Sequence, residues 1–337
     1  MSSIRVAVLG GGSWGTTVAH LCAHNAPTVL WCRSEETVSQ INEEHQNKRY
    51  LEGYDLHESL TATNDLGEAL DDADLLVMGV PSSAFRETLR AATPHVRPWV
   101  PVVSLTKGFE LDTGMRMTEV IHDELAGHPV GVLTGPNLAK EILAGAAAAS
   151  VVAMADLAVA DSLQDVFHSN LFRVYTNEDL IGCELGGALK NVVAIASGMG
   201  DGLGAGDNTR AAVITRGLNE ITRLGVALGG NPLTFAGLAG MGDLIATCIS
   251  PQSRNRTVGK MLGEGLSIDE AIAEMNQVAE GVKSCRIVQA KARELDVRTP
   301  ITDWVVAVCH EGATAMDAYD GLIDRENRRE MHGLEQP

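Results

Sequence analysis

Hydrophobic positions along the chain fall into short unbroken runs separated by longer amphipathic stretches. Residues 4–9 are apolar apart from Arg5 and stop at glycines, the pattern of a strand buried on both faces. Similar runs recur at 28–31, at 74–80 where Pro81 ends the run, at 102–105 and at 130–133. Stretches with helical spacing lie between them, among them 13–24, 85–92 and 114–125. Strands alternating with helices predict βαβ units and a parallel sheet. Two more strands are expected at 149–154 and 172–175. After Asn177 the strand-like runs stop and helical spacing dominates, so a domain boundary is expected near residue 178. No fixed-period repeat is present, and residues 333–337 read as a frayed tail.

Composition narrows this picture. A chain of 337 residues suits two cores better than one. With 45% hydrophobic and 21% charged residues it belongs with folded, not disordered, chains. A net charge of −18 argues against nucleic acid and anionic membranes as partners, while leaving room for a small anion wherever a few cations gather. The six cysteines form no C-x-x-C pair and have no histidines at zinc spacing, so reduced, mostly buried thiols and no structural metal are expected. The longest uncharged apolar run, 142–155, is too short to span a bilayer and reads as a helix end followed by a buried strand. The chain enters its first strand within a few residues, so no signal peptide is expected.

Gly10-x-Gly12-x-x-Gly15 stands where the first strand turns into a helix. Glycines there let the backbone turn tightly and approach a pyrophosphate, and a helix start offers free N–H groups and a positive dipole end. The same glycines would serve a plain tight turn; the strand before, the helix after and the βαβ sequel are the context that favours a ligand. A Rossmann-like dinucleotide-binding domain is therefore expected over residues 1–178, followed by an all-α substrate domain over 179–337. The second strand runs into Trp31-Cys32-Arg33, where an acid gripping ribose hydroxyls is usual. Arg33 can accommodate a 2′-phosphate, stack on adenine or sit in solvent, and Glu35 and Glu36 just beyond it keep NAD open as well.

Candidate chemistry lies further along. Lys107 follows the run 102–105 and is expected outside the carboxyl end of a sheet strand, where open α/β sheets bind ligands; a solvated loop lysine has the same signature. Gly135-Pro136-Asn137-Leu138-Ala139 is expected to begin a helix straight after a strand, with Pro136 in the first turn and free N–H groups available to a ligand; a simple strand-to-helix turn reads the same way. Lys190 sits in a helical stretch, 184–197, on a face made by Cys183, Gly186, Gly187, Val193, Ala194 and Ser197. A lysine kept from solvent and near other cations has a lowered pKa and exchanges protons near neutrality; a lysine snorkelling at a helix flank is the equal alternative. Asp243 follows a run with three glycines, Gly237 to Gly242, and could fix a hydroxyl or hold Lys190. Ser253, Arg254 and Asn255 precede another helical stretch and together would make a phosphate cradle.

These pieces occur together and in one order: Gly10-Gly11-Gly12-Ser13-Trp14-Gly15, Val80-Pro81-Ser82, Thr106-Lys107-Gly108, Gly135-Pro136-Asn137, Leu189-Lys190-Asn191, Gly240-Met241-Gly242-Asp243, Ser253-Arg254-Asn255-Arg256 and Val278-Ala279-Glu280-Gly281. With them the chain resembles the bacterial-type NAD(P)-dependent glycerol-3-phosphate dehydrogenases over residues 4–325. The resemblance implies reversible hydride transfer between sn-glycerol 3-phosphate and dihydroxyacetone phosphate, with Lys190 as proton acceptor. It implies that Lys107 touches cofactor and substrate, that Gly135 and Asn137 bind substrate, and that Ala139 binds cofactor. Asp243, Ser253, Arg254 and Asn255 would hold substrate, with Arg254 also near the cofactor. Gly10, Gly12, Ser13, Trp14, Gly15, Arg33, Val278 and Glu280 would contact the dinucleotide, NAD(H) or NADP(H), with no metal. Asn137 stands where the family often has Ser or Thr, and Trp14 where Tyr or Phe also occurs. The resemblance further implies a cytoplasmic homodimer feeding phospholipid synthesis, with no integral membrane association. Two rivals remain: another dehydrogenase of the same architecture acting on a β-hydroxyacid or sugar phosphate, and a redox sensor binding NAD(P)H without turnover. The Ser253-Arg254-Asn255 cradle opposes the first, and the pairing of Lys190 with Asp243 opposes the second.

Overall fold

The computed structural model describes residues 4–275 and 279–323. The chain divides into two compact units, Met1–Leu180 and Ile181–Pro337. The break falls just past the expected residue 178, at the start of a long helix.

The first unit interleaves strands and helices: β1 (Val6–Leu9), α1 (Ser13–Ala23), β2 (Thr28–Trp31), α2 (Glu35–Glu44), α3 (Lys48–Leu51), β3 (Thr61–Thr63), α4 (Leu66–Leu70), β4 (Leu75–Met78) and α5 (Ser82–Ala92). There follow β5 (Val102–Ser104), α6 (Met117–Glu124), β6 (Val130–Thr134), α7 (Ala139–Leu143), β7 (Ala148–Met154), α8 (Leu157–Phe167) and β8 (Phe172–Asn177). The strands form one eight-stranded sheet in the order β3-β2-β1-β4-β5-β6-β7-β8. The first six, 3-2-1-4-5-6, have the order of a doubly wound dinucleotide-binding sheet, whose direction of winding reverses between β1 and β4. Alternation along β1 explains why its run is apolar throughout. Val6 and Val8 join the core on one face of the sheet, and Ala7 and Leu9 the core on the other.

Two features depart from the expected parallel sheet. β7 runs antiparallel to β6, and β8 runs parallel to β7, so the last two strands are reversed. A parallel return needs a crossover helix long enough to bring the chain back along the strand. The five-residue α7 covers about 7.5 Å at 1.5 Å per residue and leaves the chain to re-enter the sheet from the end it left. The edge strand β3 has the sequence Thr-Ala-Thr and carries no hydrophobic run. It is secured by Asn42 of α2, whose amide donates to Ala62 O at 2.9 Å and accepts from Ala62 N–H at 2.7 Å.

The second unit is helical throughout its described residues: α9 (Leu180–Gly202), α10 (Asp207–Ala227), α11 (Pro232–Phe235), one π-helical turn over Leu238–Gly242, α12 (Asp243–Ile249), α13 (Arg254–Gly263), α14 (Ile268–Glu274), α15 (Glu280–Glu294), α16 (Pro300–His310) and α17 (Ala315–Ile323). α9 is its buried centre, and glycines set how closely α13 approaches it. A Cβ on Gly198 would lie 2.1 Å from Arg256 O, and one on Gly259 would lie 2.0 Å from Ile195 O. Gly202 and Gly263, four residues further on each helix, repeat the contact. Among the described residues, two stretches are long and apolar enough to cross a membrane, 180–202 and 232–249; the first is 89% buried inside the protein, as a core helix is.

Candidate active site

In the sheet unit, the expected cofactor residues Gly10, Gly12, Ser13, Trp14, Gly15 and Arg33 lie at the carboxyl ends of β1 and β2, and Lys107 and Ala139 follow β5 and β6. Gly10 takes φ +125°, and a Cβ there would stand 2.6 Å from Gly79 O at the end of β4. Gly15 allows α1 to pack onto the strand end, since a Cβ would come within 2.1 Å of Gly10 O. Gly12 differs: a Cβ on it would meet no atom within 4 Å. The space beside Gly12 is therefore open, and Gly12 caps α1 without any side chain bonding to the free N–H groups. An uncapped eleven-residue helix facing open space is what a pyrophosphate fits. Ser13 Oγ donates to Tyr50 O at 3.4 Å. The Trp14 ring stands 6.3 Å from that of Phe172, with its Nε1 buried and without a hydrogen-bond partner among the described residues. Arg33 is exposed two residues beyond β2. Glu35 and Glu36 occupy the first turn of α2, which Ser34 caps.

At the ends of β5 and β6, Lys107 Nζ donates to Gly135 O at 2.8 Å. The segment after β6 does not begin a helix as expected. Gly135 has φ +142° and α7 starts only at Ala139, so Pro136 lies in the bend before the helix. A residue preceding proline is disfavoured in the helical region, and Gly135 turns the chain instead. Asn137 Nδ2 donates to Ser150 Oγ at 3.1 Å, which donates on to Thr134 O at 2.8 Å. Asn137 Oδ1 and Thr134 Oγ1 are buried without partners among the described residues.

In the helical unit, Lys190 is 6% exposed and its ammonium meets two oxygens. Nζ lies 3.0 Å from Asp243 Oδ1 and 2.5 Å from Thr247 Oγ1, and Thr247 Oγ1 donates to Asp243 Oδ1 at 3.2 Å. The expected neighbouring cations are replaced here by a carboxylate, because an ammonium taken out of water needs a counter-charge. The glycines explain how Asp243 arrives. A Cβ on Gly186, one turn before Lys190, would lie 2.4 Å from Ala239 O, so a bare helix face lets the π-helical turn approach and deliver Asp243.

Ser253 caps α13, its hydroxyl accepting from Arg256 N–H at 3.2 Å. Asn255 is committed inside the fold: its Nδ2 donates to Asn191 Oδ1 and its Oδ1 accepts from Gly281 N–H, both at 2.9 Å. That bond brings the start of α15 to α13 beside the residue after Lys190. Arg254 is exposed; burial of its surroundings lowers its guanidinium from the ordinary value, and the Glu280 carboxylate opposes this. Val278 lies outside the described residues. Thr247 and the Asn191 side chain were not assigned roles from sequence. The signal for Thr247 is its place four residues after Asp243, on the same face of α12.

Two family descriptions match the chain: NAD-dependent glycerol-3-phosphate dehydrogenase N-terminus over residues 5–160 and C-terminus over residues 179–320. The chain belongs to this family. It is 61% identical to glycerol-3-phosphate dehydrogenase (NAD(P)+) 2 of Sphingopyxis alaskensis, over 98% of this chain and 99% of that protein. It is 54% identical to the Mycobacterium avium glycerol-3-phosphate dehydrogenase (NAD(P)+), over 99% of this chain and 98% of that one. The crystal structure of glycerol-3-phosphate dehydrogenase from Coxiella burnetii is 38% identical with a TM-score of 0.91, covering 96% of this chain and 99% of its own. The sheet unit of this family member thus carries the open glycine turn, and the helical unit the enclosed lysine.

Proposed function

We propose that this chain is an NAD(P)-dependent glycerol-3-phosphate dehydrogenase, interconverting sn-glycerol 3-phosphate and dihydroxyacetone phosphate. The observation that carries the reading is Lys190, 6% exposed, with Asp243 and Thr247 within 3.0 Å of its ammonium, in a member of this family. The nicotinamide cofactor supplies hydride acceptance and donation at C2. Gly12 and the uncapped start of α1 hold its pyrophosphate, Ser13 and Trp14 flank it, and Arg33 lies at the adenosine end. Lys190 takes the C2 hydroxyl proton during oxidation and returns it to the carbonyl oxygen during reduction. Asp243 and Thr247 hold the ammonium in one orientation. Ser253 and Arg254 bind the phosphate, Asn255 fixes the start of α13 for them, and Lys107, Gly135 and Asn137 hold the rest of the substrate. Ala139, Val278 and Glu280 complete the cofactor contacts. The protein acts in the cytoplasm as a homodimer and supplies glycerol 3-phosphate to phospholipid synthesis.

The direct assay is loss of NAD(P)H absorbance on adding dihydroxyacetone phosphate, with a β-hydroxyacid as the comparison substrate. Turnover only on the hydroxyacid would overturn the substrate, and binding of NAD(P)H without any turnover would make the protein a sensor. Arg254→Ala tests the phosphate site. Two charge-assisted bonds at about 1.5–3 kcal/mol each imply a loss of roughly 10² to 10⁴ in kcat/KM. The loss should be far larger on dihydroxyacetone phosphate than on dihydroxyacetone, at saturating cofactor. Equal losses on both would remove Arg254 from the phosphate site.

A further inference from the structure

Asn47 is wholly buried, with 0% exposure, and lies far in sequence from the glycine turn that it contacts. It occupies the N-cap position of α3 without capping that helix. Both amide hydrogens of Nδ2 go elsewhere, to Gly11 O and to Thr16 Oγ1, each at 2.9 Å. Its Oδ1 has no hydrogen-bond partner among the described residues. A buried amide left half-satisfied is destabilising, so the two bonds it does make must contribute something the fold or the site needs. The same segment meets the turn again through Tyr50 O, which accepts from Ser13 Oγ.

We propose that Asn47 is a positioning residue for the cofactor, holding the Gly11–Gly12 peptide so that its N–H faces the pyrophosphate; this rests on the glycine turn being the pyrophosphate site, as proposed above. A trans peptide is planar, and its C=O and N–H point in opposite directions. Fixing Gly11 O against a buried donor therefore fixes the Gly12 N–H on the opposite side. Glycines lose the most conformational entropy on ordering, and three consecutive glycines, Gly10 to Gly12, would otherwise leave this plane free to rotate. The bond to Thr16 ties the same amide to α1, so turn and helix start are held as one piece. A pyrophosphate is common to NADH and NADPH, so the effect is the same for both.

The test measures cofactor affinity directly, by quenching of tryptophan fluorescence in the free enzyme, alongside thermal stability. Asn47→Ala should raise the Kd of NADH and of NADPH by the same factor, about 10- to 100-fold for the loss of one to two buried bonds. At saturating cofactor, kcat and the KM for dihydroxyacetone phosphate should stay within about twofold, because the Asn47 side chain bonds only to the turn and α1 among the described residues. Thr16→Val removes one acceptor and spares the bond to Gly11, so it should change Kd by no more than about threefold. If Asn47→Ala fails to fold, Asn47→Ser keeps one short donor and should give an intermediate loss. An unchanged Kd in a folded Asn47 variant, or unequal losses for the two cofactors, overturns the proposal. Gly12→Val separates this from failure of the underlying reading. If it abolishes cofactor binding while the Asn47 variants bind normally, the turn is the site and Asn47 does not position it. If it too leaves binding intact, the turn is not the pyrophosphate site and the proposal falls with it.

Discussion

At the scale of single residues, the Lys190 contact combines stability and chemistry in one ion pair. Removing one partner of a buried pair costs about 3–5 kcal/mol, because the other charge is left without compensation. Asp243→Asn should therefore lower unfolding stability in urea by that amount, and Lys190→Met by a similar amount. The double variant should lose well under the sum, since it strands no charge. Additive losses would mean that Lys190 and Asp243 do not interact as the 3.0 Å separation indicates. Lys190→Ala should also cut kcat by roughly 10² to 10⁴ while sparing cofactor binding, and retention of a tenth of the activity would remove it as proton carrier. Legibility at this scale followed spacing. Gly10, Gly12 and Gly15 were readable because each has a distinct reason to lack a side chain, whereas the small-residue face of Lys190 left burial and snorkelling equally open until its carboxylate partner was in view. Thr247 had a signal only through its spacing of four residues from Asp243 on α12, and Asn47 had none. Its partner Gly11 is distant in sequence, and a lone asparagine carries no pattern of its own.

At the scale of elements, hydrophobic positions marked seven of the eight described strands, including the half-exposed β8, and missed β3. β3 has two threonines among its three residues and depends on the Asn42 side chain, so no run marks it. The reversal of β7 was hidden for another reason: direction in a sheet is decided by the length of the connection, here the short α7, and not by the strand's own residues. In the helical unit, the glycines of α9 and α13 look alike in sequence and differ in what surrounds them. A Cβ on Gly198 would meet backbone at 2.1 Å, whereas one on Gly200 has only Ala205 Cβ, 3.9 Å away. Gly198→Ala should destabilise by about 1–3 kcal/mol, because the contact is with another helix's carbonyl and cannot rotate away. Gly200→Ala should stabilise by about 0.5–1 kcal/mol through helix propensity. Urea midpoints for the two variants check both signs, and a Gly198→Ala variant that is not destabilised would mean that α9 and α13 are not held by close backbone contact.

At the scale of the whole molecule, two effects of acid on stability oppose each other. A chain with net charge −18 repels itself, and protonating carboxylates relieves that repulsion. Against this stands a histidine cluster in the sheet unit: the His20 Nε2 lies 3.3 Å from the His24 Nε2, and the His57 ring lies 4.2 Å from that of His24. His20 Nδ1 accepts from the His57 backbone N–H at 2.9 Å, so a proton there would break that bond. Burial first, then His24 and His57, depress the His20 imidazole to about 4. Burial and His57 depress His24 as well. The folded pKa of His20 lies below the unfolded value of 6.5, so between those two pH values the unfolded chain binds more protons. Stability from neutral His20 is complete above about pH 6.5 and is lost as the pH falls toward 4. The loss is roughly 1–3 kcal/mol, since the ring is only partly enclosed and solvent screens part of the effect. Replacing His20 with asparagine keeps an acceptor and removes the titration. The carboxylates are the same in both proteins, so the difference between their pH profiles isolates the histidine. Urea unfolding followed by tryptophan fluorescence reads the right unit, because Trp14, Trp31 and Trp99 lie in the sheet unit and only Trp304 in the helical one. Between pH 7 and 4.5 the wild type should lose more stability than His20→Asn, whatever constant offset the substitution introduces. Parallel profiles would mean that the cluster does not hold His20 neutral, and that acid acts on this fold through its other titratable groups.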